Sequence, residues 1–502
     1  MRKILCLLLV VLLMVTLLMG CGGDAQKQSG TSVQTEPLSQ PEVTESTEAG
    51  KQPGESNFGL QTPNGQTESY ANYRVTLTES ATFESEYSLF ASYGVLVNNV
   101  KRDGLSAHTV FSFDGQDKLG EPVHAYTNCG DGVVITTVYT TSGSVKKLVN
   151  INTGEVYLAD DAATIRKVND RFYYVTYITE ETDNKDECFI YATKVDDTIQ
   201  LQSIYNQPAE SDIMYKGYAK IFDLQSKKFV SGLRIENRET EVQGFKDTLC
   251  LYSDAGWTFY NADGCLLAEK MTNVLFGEEY IVRQSREQSR EGCEIYDADL
   301  KLVNFLEGAE YIGGTNRKCS DRYFEYEENG RVGVMKITGE KVTEPEYSNV
   351  FQTYGDYIVC RNDDETVTVV YGDGSVVIPG SIFKNAYMTD NMPKITFSIS
   401  AGEQYTYWFG GTLLENVTIG TDLIAKRNSN EFLIYSTGEW VKFENASSLT
   451  NGLLHTEEGI VDVFTGSVLL SGEFKSVIAC GEYLYIYNDG LWTAYSIALT
   501  KG

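Results

Sequence analysis

Ten cysteines, three histidines and two acidic clusters are the residues with which this 502-residue chain could do chemistry. His108, His124 and His455 lie far apart in the sequence and show no zinc-binding spacing, so a histidine base or a metal centre is poorly provided for. No Gly-x-Ser-x-Gly elbow, phosphate loop or metalloprotease helix occurs, and no cofactor is implied. Asp297-Ala298-Asp299 and Asn362-Asp363-Asp364-Glu365 have the carboxylates that calcium takes, but neither continues into the longer ligand pattern of a calcium loop, and a tight turn accounts for both. Carboxylate pairs for sugar hydrolysis are a property of the fold and not of spacing. With 33 tyrosines and 22 phenylalanines the chain has the means to stack on sugars or peptides, and equally to fill the cores of sheets.

Cys6 and Cys21 stand apart from the other cysteines. An apolar run from Ile4 to Met19, broken only by Thr16, follows Arg2 and Lys3 and closes on Leu18-Met19-Gly20-Cys21. It is short for a membrane span and has the build of a secretory signal. The closing residues resemble the lipobox of bacterial lipoproteins, with Leu18 and Gly20 on the family pattern and Met19 a less usual middle residue. The resemblance implies a signal peptide over residues 1–20, cleavage between Gly20 and Cys21, and a diacylated Cys21 as the mature N-terminus. The membrane would then be a partner through the lipid anchor, and the protein would sit on the extracytoplasmic face of the cell membrane. Two acyl chains hold where one does not, since each buried methylene contributes about 0.8 kcal/mol.

Residues 21–80 are expected to be a flexible acidic tether. Gly, Ser, Thr, Gln, Glu and Pro dominate as far as about Tyr70, and Pro37, Pro41, Pro53 and Pro63 are four of only nine prolines. Too little apolar surface is present to offset the entropy of ordering such a segment, so its contribution is reach. The whole chain holds 41 basic and 70 acidic residues; without residues 1–20, which hold Arg2 and Lys3 and no acid, the balance is 39 to 70 and the charge −31. Such a surface is soluble, repels nucleic acid and anionic lipid, and favours a cationic partner if any.

Beyond residue 80, short runs of Val, Ile, Tyr, Phe and Thr alternate with Gly, Asp and Asn, and helical periodicity is almost absent. This predicts an all-β fold. A hairpin signal recurs at Phe113-Asp114-Gly115, Ile151-Asn152-Thr153-Gly154, Tyr260-Asn261-Ala262-Asp263-Gly264, Tyr296-Asp297-Ala298-Asp299, Ile337-Thr338-Gly339, Tyr371-Gly372-Asp373-Gly374, Tyr435-Ser436-Thr437-Gly438 and Phe464-Thr465-Gly466. Glycine and Asp or Asn stand where a turn needs φ > 0. Successive spacings are 39 residues from Gly115 to Gly154, 35 from Gly339 to Gly374, 37 on to Gly411, 27 on to Gly438 and 28 on to Gly466. A second landmark, Asn273-Val274 with Tyr280-Ile281-Val282, returns as Asn349-Val350 with Tyr357-Ile358-Val359, two repeat lengths on. Within 417–443 four strands are predicted: Val417-Thr418-Ile419, Leu423-Ile424-Ala425, Phe432-Leu433-Ile434-Tyr435 and Trp440-Val441-Lys442-Phe443. Four antiparallel strands per repeat is the sheet of a β-propeller blade.

The stretch from Glu328 to Val350 resembles the bacterial Trp-Gly (WG) repeat family, with Gly330, Gly333, Val334, Gly339, Val342, Pro345, Tyr347 and Val350 on its pattern and Val332 in place of the tryptophan. Gly256-Trp257-Thr258-Phe259-Tyr260 keeps only the skeleton. Eleven or twelve units fit between about residue 82 and the C-terminus, with 211–240 the least regular. A propeller closes with about four to eight blades. The expectation is therefore two propeller-like domains, 81–307 and 308–502, with a single ring of seven to nine larger blades as the alternative. Cys129, Cys188, Cys250, Cys265, Cys293, Cys319, Cys360 and Cys480 form no Cys-x-x-Cys pair and read as small apolar residues of sheet cores, with disulfides the alternative in an exported chain of even count. The leading functional expectation is a non-catalytic binding or scaffold module recognising a protein, peptide or glycan at the cell surface. The alternative is an extracellular propeller-type carbohydrate-active enzyme, a glycosidase or lyase. A transporter's substrate-binding component would need two α/β lobes, for which helices are lacking.

Overall fold

The computed structural model describes residues 70–501 apart from 86–88, 141–142, 161, 196–197, 202–211, 288–289, 313–319, 381–382, 390–391, 399–405, 410–411 and 416. Gly20, Cys21, Cys319, Gly411 and most of the expected tether lie outside the described residues. Two short 3-10 turns, Tyr70–Asn72 and Lys185–Glu187, are the helical elements among them. No helix there is long and apolar enough to cross a membrane.

Everything else is antiparallel sheet, in eleven consecutive units that we number 1 to 11 along the chain. The expected all-β, propeller-like repeat of four-stranded antiparallel units is the observed class. Eight of the sheets have four strands; sheets 1 and 6 have three, and sheet 3 has six. In sheet 3 a hairpin, Ile190–Val195 with Thr198–Leu201, is inserted between the second strand, Phe172–Glu181, and the third, Ile213–Asp223. The stretch that looks least regular in the sequence follows that insertion and supplies the third and fourth strands, Ile213–Asp223 and Lys228–Ile235.

The series of sheets closes on itself. Tyr73–Phe83 pairs antiparallel with Leu491–Lys501, from Tyr73 opposite Lys501 to Phe83 opposite Trp492, and so supplies the outer strand of sheet 11. This strand runs across the boundary expected at residue 80, because Tyr73, Val75 and Leu77 alternate inward from the tether's edge and pack on sheets 9 to 11. Asp462, 1% exposed, accepts from the Val75 N–H at 3.1 Å and the Phe464 N–H at 2.9 Å. Tyr70 adds edge-to-face contacts with Tyr435 and Phe464. Buried clusters join each sheet to the next: Val97 and Val134 for sheets 1 and 2, Cys250 and Ile281 for 4 and 5, Val334 and Ile358 for 6 and 7, Leu96 and Tyr485 for 1 and 11. The expected division near residue 307 falls between Leu302–Glu307 and Ala309–Tyr311, and Leu306 and Ala309 share one buried cluster with Cys293, Phe324 and Met335.

All eight hairpin signals read from the sequence are the turn between the third and fourth strand positions of a unit. Gly115, Gly154, Gly264, Gly339, Gly374, Gly438 and Gly466 have φ between +69° and +87°, and in the turn at Asp297 the position is taken by Leu300 at +58°. The turn delivers the chain into an outer strand with a bulge. In sheets 2, 4, 5, 7 and 10 the pairing slips by one residue there, as Phe259 opposite Ala268 is followed by Tyr260 opposite Leu266. The slip leaves Val156, Leu266, Leu302, Val376 and Val468 exposed and twists the free edge, which discourages edge-to-edge pairing.

Two expectations need correction. In sheet 9 the second strand is Ala425–Arg427 and not 423–425, because Leu423 has φ +64° and belongs to a turn. The WG-like stretch belongs to a three-stranded sheet: Pro345, which has no N–H to give, lies in a segment that forms no fourth strand and is held by the isolated bridges Met335 to Lys341 and Val332 to Tyr347 and by hydrogen bonds to Val334. Gly333 is there for space. A Cβ on it would lie 2.6 Å from the Tyr326 ring, whose hydroxyl donates to the Thr343 carbonyl at 2.8 Å.

Candidate binding face

Antiparallel alternation puts the turns between strands 1 and 2, and 3 and 4, at one end of every sheet. The turns between strands 2 and 3 and the connections from one sheet to the next are at the other. The first end is tied together. Asn128 donates from Nδ2 to the carbonyls of Tyr93 and Gly94 at 3.2 Å, Asn169 to Lys246 at 2.9 Å, and Asn304 to Ile337 at 2.7 Å. Asp321, 3% exposed, accepts from the Glu279 and Tyr280 N–H groups, and the Tyr323 hydroxyl donates to Asp356 at 2.7 Å.

Among the described residues, three hollows open at the second end. One of about 380 Å³ lies between Lys185–Phe189 and Glu236–Glu239, where sheet 3 hands over to sheet 4. Another, about 430 Å³, is lined by Arg331, Glu346 and Asn362–Asp364. Its charges are matched internally, since Arg331 pairs with Asp363 and donates to the Glu346 carbonyl at 2.7 Å, while Thr366 holds the Asp364 carboxyl below its ordinary value by hydrogen bonding. The largest, about 500 Å³, is lined by Glu241, Tyr252, Asp254, Trp257, Thr272 and Asn273 among others.

That hollow follows from register. Glu241 stands opposite Tyr252, Tyr252 opposite Trp257, and Trp257 opposite Met271, one cross-strand row over all four strands of sheet 4. Residues directly opposite share a face, here the face towards sheet 5. Trp257 is buttressed edge-to-face by Phe276 of sheet 5 with ring centroids 4.9 Å apart, and meets Tyr252 at 5.1 Å and 48°. Tyr252 is 43% exposed. Asp254 lies in the turn after Tyr252, and Asn273, at φ +55°, turns the chain into sheet 5. The sequence marked Trp257 and Asn273-Val274 as repeat landmarks but not Glu241, Tyr252 or Asp254, which only strand pairing brings to them.

The residues singled out for chemistry are not assembled. His108 and His124 meet at one junction, where His108 bridges Val123, yet His108 sits against Tyr126 and His124 against Tyr139. The His124 Nδ1 accepts from the Tyr139 N–H at 3.0 Å, while His124 Nε2 and His108 Nδ1 are buried without hydrogen-bond partners. His455 is in another sheet, near Phe474, with burial lowering its pKa. Asp297 accepts from the N–H groups of Asp299 and Lys301, and Lys301 pairs with Asp299, so this cluster is a turn. Among the described residues no three His, Cys, Asp or Glu side chains are grouped to hold a metal ion.

Seven described cysteines are free and six are buried; Cys265 is exposed, a departure from the expected core position, because it follows the turn glycine at the mouth of an outer strand. First strands touch between sheets 11 and 1 and between sheets 7 and 8, and the eleven first strands carry two carboxylates, Glu241 and Glu310. Glu310 stands directly opposite Glu325 on the next strand. Burial pushes the Glu325 carboxyl up to about 7, with Glu310 and Glu327 adding to the rise and a hydrogen bond to the Val350 backbone opposing it.

No family model matches the chain, and no curated protein sequence does. Among solved structures, a crystal structure of the eukaryotic initiation factor is 8% identical, with 68% of this chain and 94% of that one covered at a TM-score of 0.32. BamB from Moraxella catarrhalis is 10% identical over 84% and 100%, at 0.21. Dipeptidyl peptidase 4 from Porphyromonas gingivalis is 10% identical over 66% and 52%, at 0.26. The chain's own strand order, sheet by sheet, is what establishes the propeller-like fold.

Proposed function

We propose that this protein is a lipid-anchored, extracytoplasmic lipoprotein, held to the membrane through Cys21, whose ring of sheets is a non-catalytic binding or scaffold module for a protein, peptide or glycan. The anchor rests on Leu18-Met19-Gly20-Cys21, and the kinship to WG repeats on 328–350. The observation that carries the binding reading is the contrast between the two ends of the sheets. Side chains link neighbouring sheets at both ends, as Arg331 does to Asp363 at the second, but the hollows open at the second end, the one between sheets 4 and 5 lined by aromatic, acidic and amide groups. Cys21→Ala tests the anchor: labelling with a fatty-acid analogue should be lost together with membrane retention, and equal labelling of variant and parent would refute it.

The second reading, a propeller-type glycosidase or lyase, has one observation in its favour. Glu325, with its carboxyl raised to about 7, stands opposite Glu310, and a raised acid beside a second carboxylate is the equipment of glycoside hydrolysis. Release of reducing sugar from wall glycan by the pure protein, abolished by Glu310→Gln, would establish that reading over the first.

A further inference from the structure

We infer that the hollow between sheets 4 and 5 takes a positively charged side chain, lysine or arginine, of a basic protein partner; this rests on the binding reading above. Glu241 and Asp254 are exposed, and among the described residues neither carboxylate has an ion-pair partner. Lys270, whose backbone runs beside Gly256, pairs with neither. Elsewhere on the same acidic surface carboxylates are neutralised in pairs, such as Lys216 with Glu180 and Glu187, or Lys147 with Glu121.

Beside the two acids stand Tyr252 and Trp257, inclined at 48° and so presenting two walls instead of one flat platform. A pyranose ring stacks best on a single flat face; a cation gains from every π face turned towards it and gains again from carboxylates at the rim. An anion would meet two like charges. Asn273, in the left-handed turn into sheet 5, lines the hollow with them. The overall charge of −29 draws a basic protein in from a distance, and the hollow gives that attraction a place to dock.

The probe is a tetra-arginine peptide, with its citrulline isostere and chitohexaose beside it, titrated calorimetrically into the full protein. The inference expects the arginine peptide to bind and the citrulline peptide to bind at least tenfold more weakly. Glu241→Gln with Asp254→Asn should weaken the arginine peptide about tenfold, and Trp257→Leu by a similar factor. Neutralising Asp263 and Glu269, on the same sheet but outside the hollow, should change affinity less than twofold. Equal losses from both acidic pairs would mean diffuse attraction to the surface and would overturn the site. Chitohexaose binding that Trp257→Leu abolishes, with arginine and citrulline peptides bound alike, would overturn the cation and leave the binding reading standing. Turnover of chitohexaose would overturn the binding reading itself. Unchanged circular dichroism of the variants guards against misfolding.

Discussion

Replacing Glu325 by glutamine should stabilise the protein above neutral pH and leave it nearly unchanged in acid. The carboxyl lies on the second strand of sheet 6, opposite Glu310 and two residues from Glu327, and burial lifts it from an ordinary 4.5 to about 7. Between those values the folded state holds a proton that the unfolded chain has given up, so stability is full below pH 4.5 and falls as the pH rises through 7. Two and a half pH units at about 1.36 kcal/mol each set a ceiling of about 3.4 kcal/mol. The group keeps some contact with water, which screens its repulsion by Glu310 and Glu327, and about 1–2 kcal/mol is the expected loss. Glutamine has the shape without the charge. Urea midpoints at pH 4.5 and 8.5 should therefore differ less in the variant than in the parent, with the variant the more resistant at pH 8.5. A variant weaker than the parent at pH 8.5, or a pH dependence that survives the substitution, would mean that Glu325 is not the group that destabilises the fold at high pH.

Gly333→Val should cost about 1–3 kcal/mol, read as a lower denaturation midpoint, because its Cβ must displace the Tyr326 ring from its place over the strand; an unchanged midpoint would mean the ring moves freely. Among the described cysteines only Cys265 should react quickly with a thiol reagent in the native protein, with Cys129, Cys188, Cys250, Cys293, Cys360 and Cys480 labelled only on unfolding, as mass spectrometry of the modified peptides will show.

The turns were legible because they depend on neighbours in sequence. A glycine after Asp or Thr between two apolar runs fixes a left-handed turn wherever it stands, and seven such glycines mark the same place in seven units. The two-repeat return of Asn273-Val274 at Asn349-Val350 likewise lies at the entry to sheets 5 and 7. Closure was not legible. The partner of Tyr73 is Lys501, at the far end of the chain, and the low-complexity run before Tyr70 hides the three inward residues that begin the strand. The hollow was half legible: Trp257 announces itself, whereas Glu241 joins it only through a register spanning three strands, and a shift of one residue would turn the row to the other face.

The most direct test of recognition at the open end is a photo-crosslinking amino acid placed at Tyr252 or at Tyr93 in intact cells. Both side chains are exposed, Tyr93 86% and Tyr252 43%, but Tyr93 is in a turn between first and second strands at the opposite end. A discrete protein or glycan adduct is expected from position 252 and none from position 93. Adducts of the same partner from both positions, or from position 93 alone, would contradict recognition at the open end.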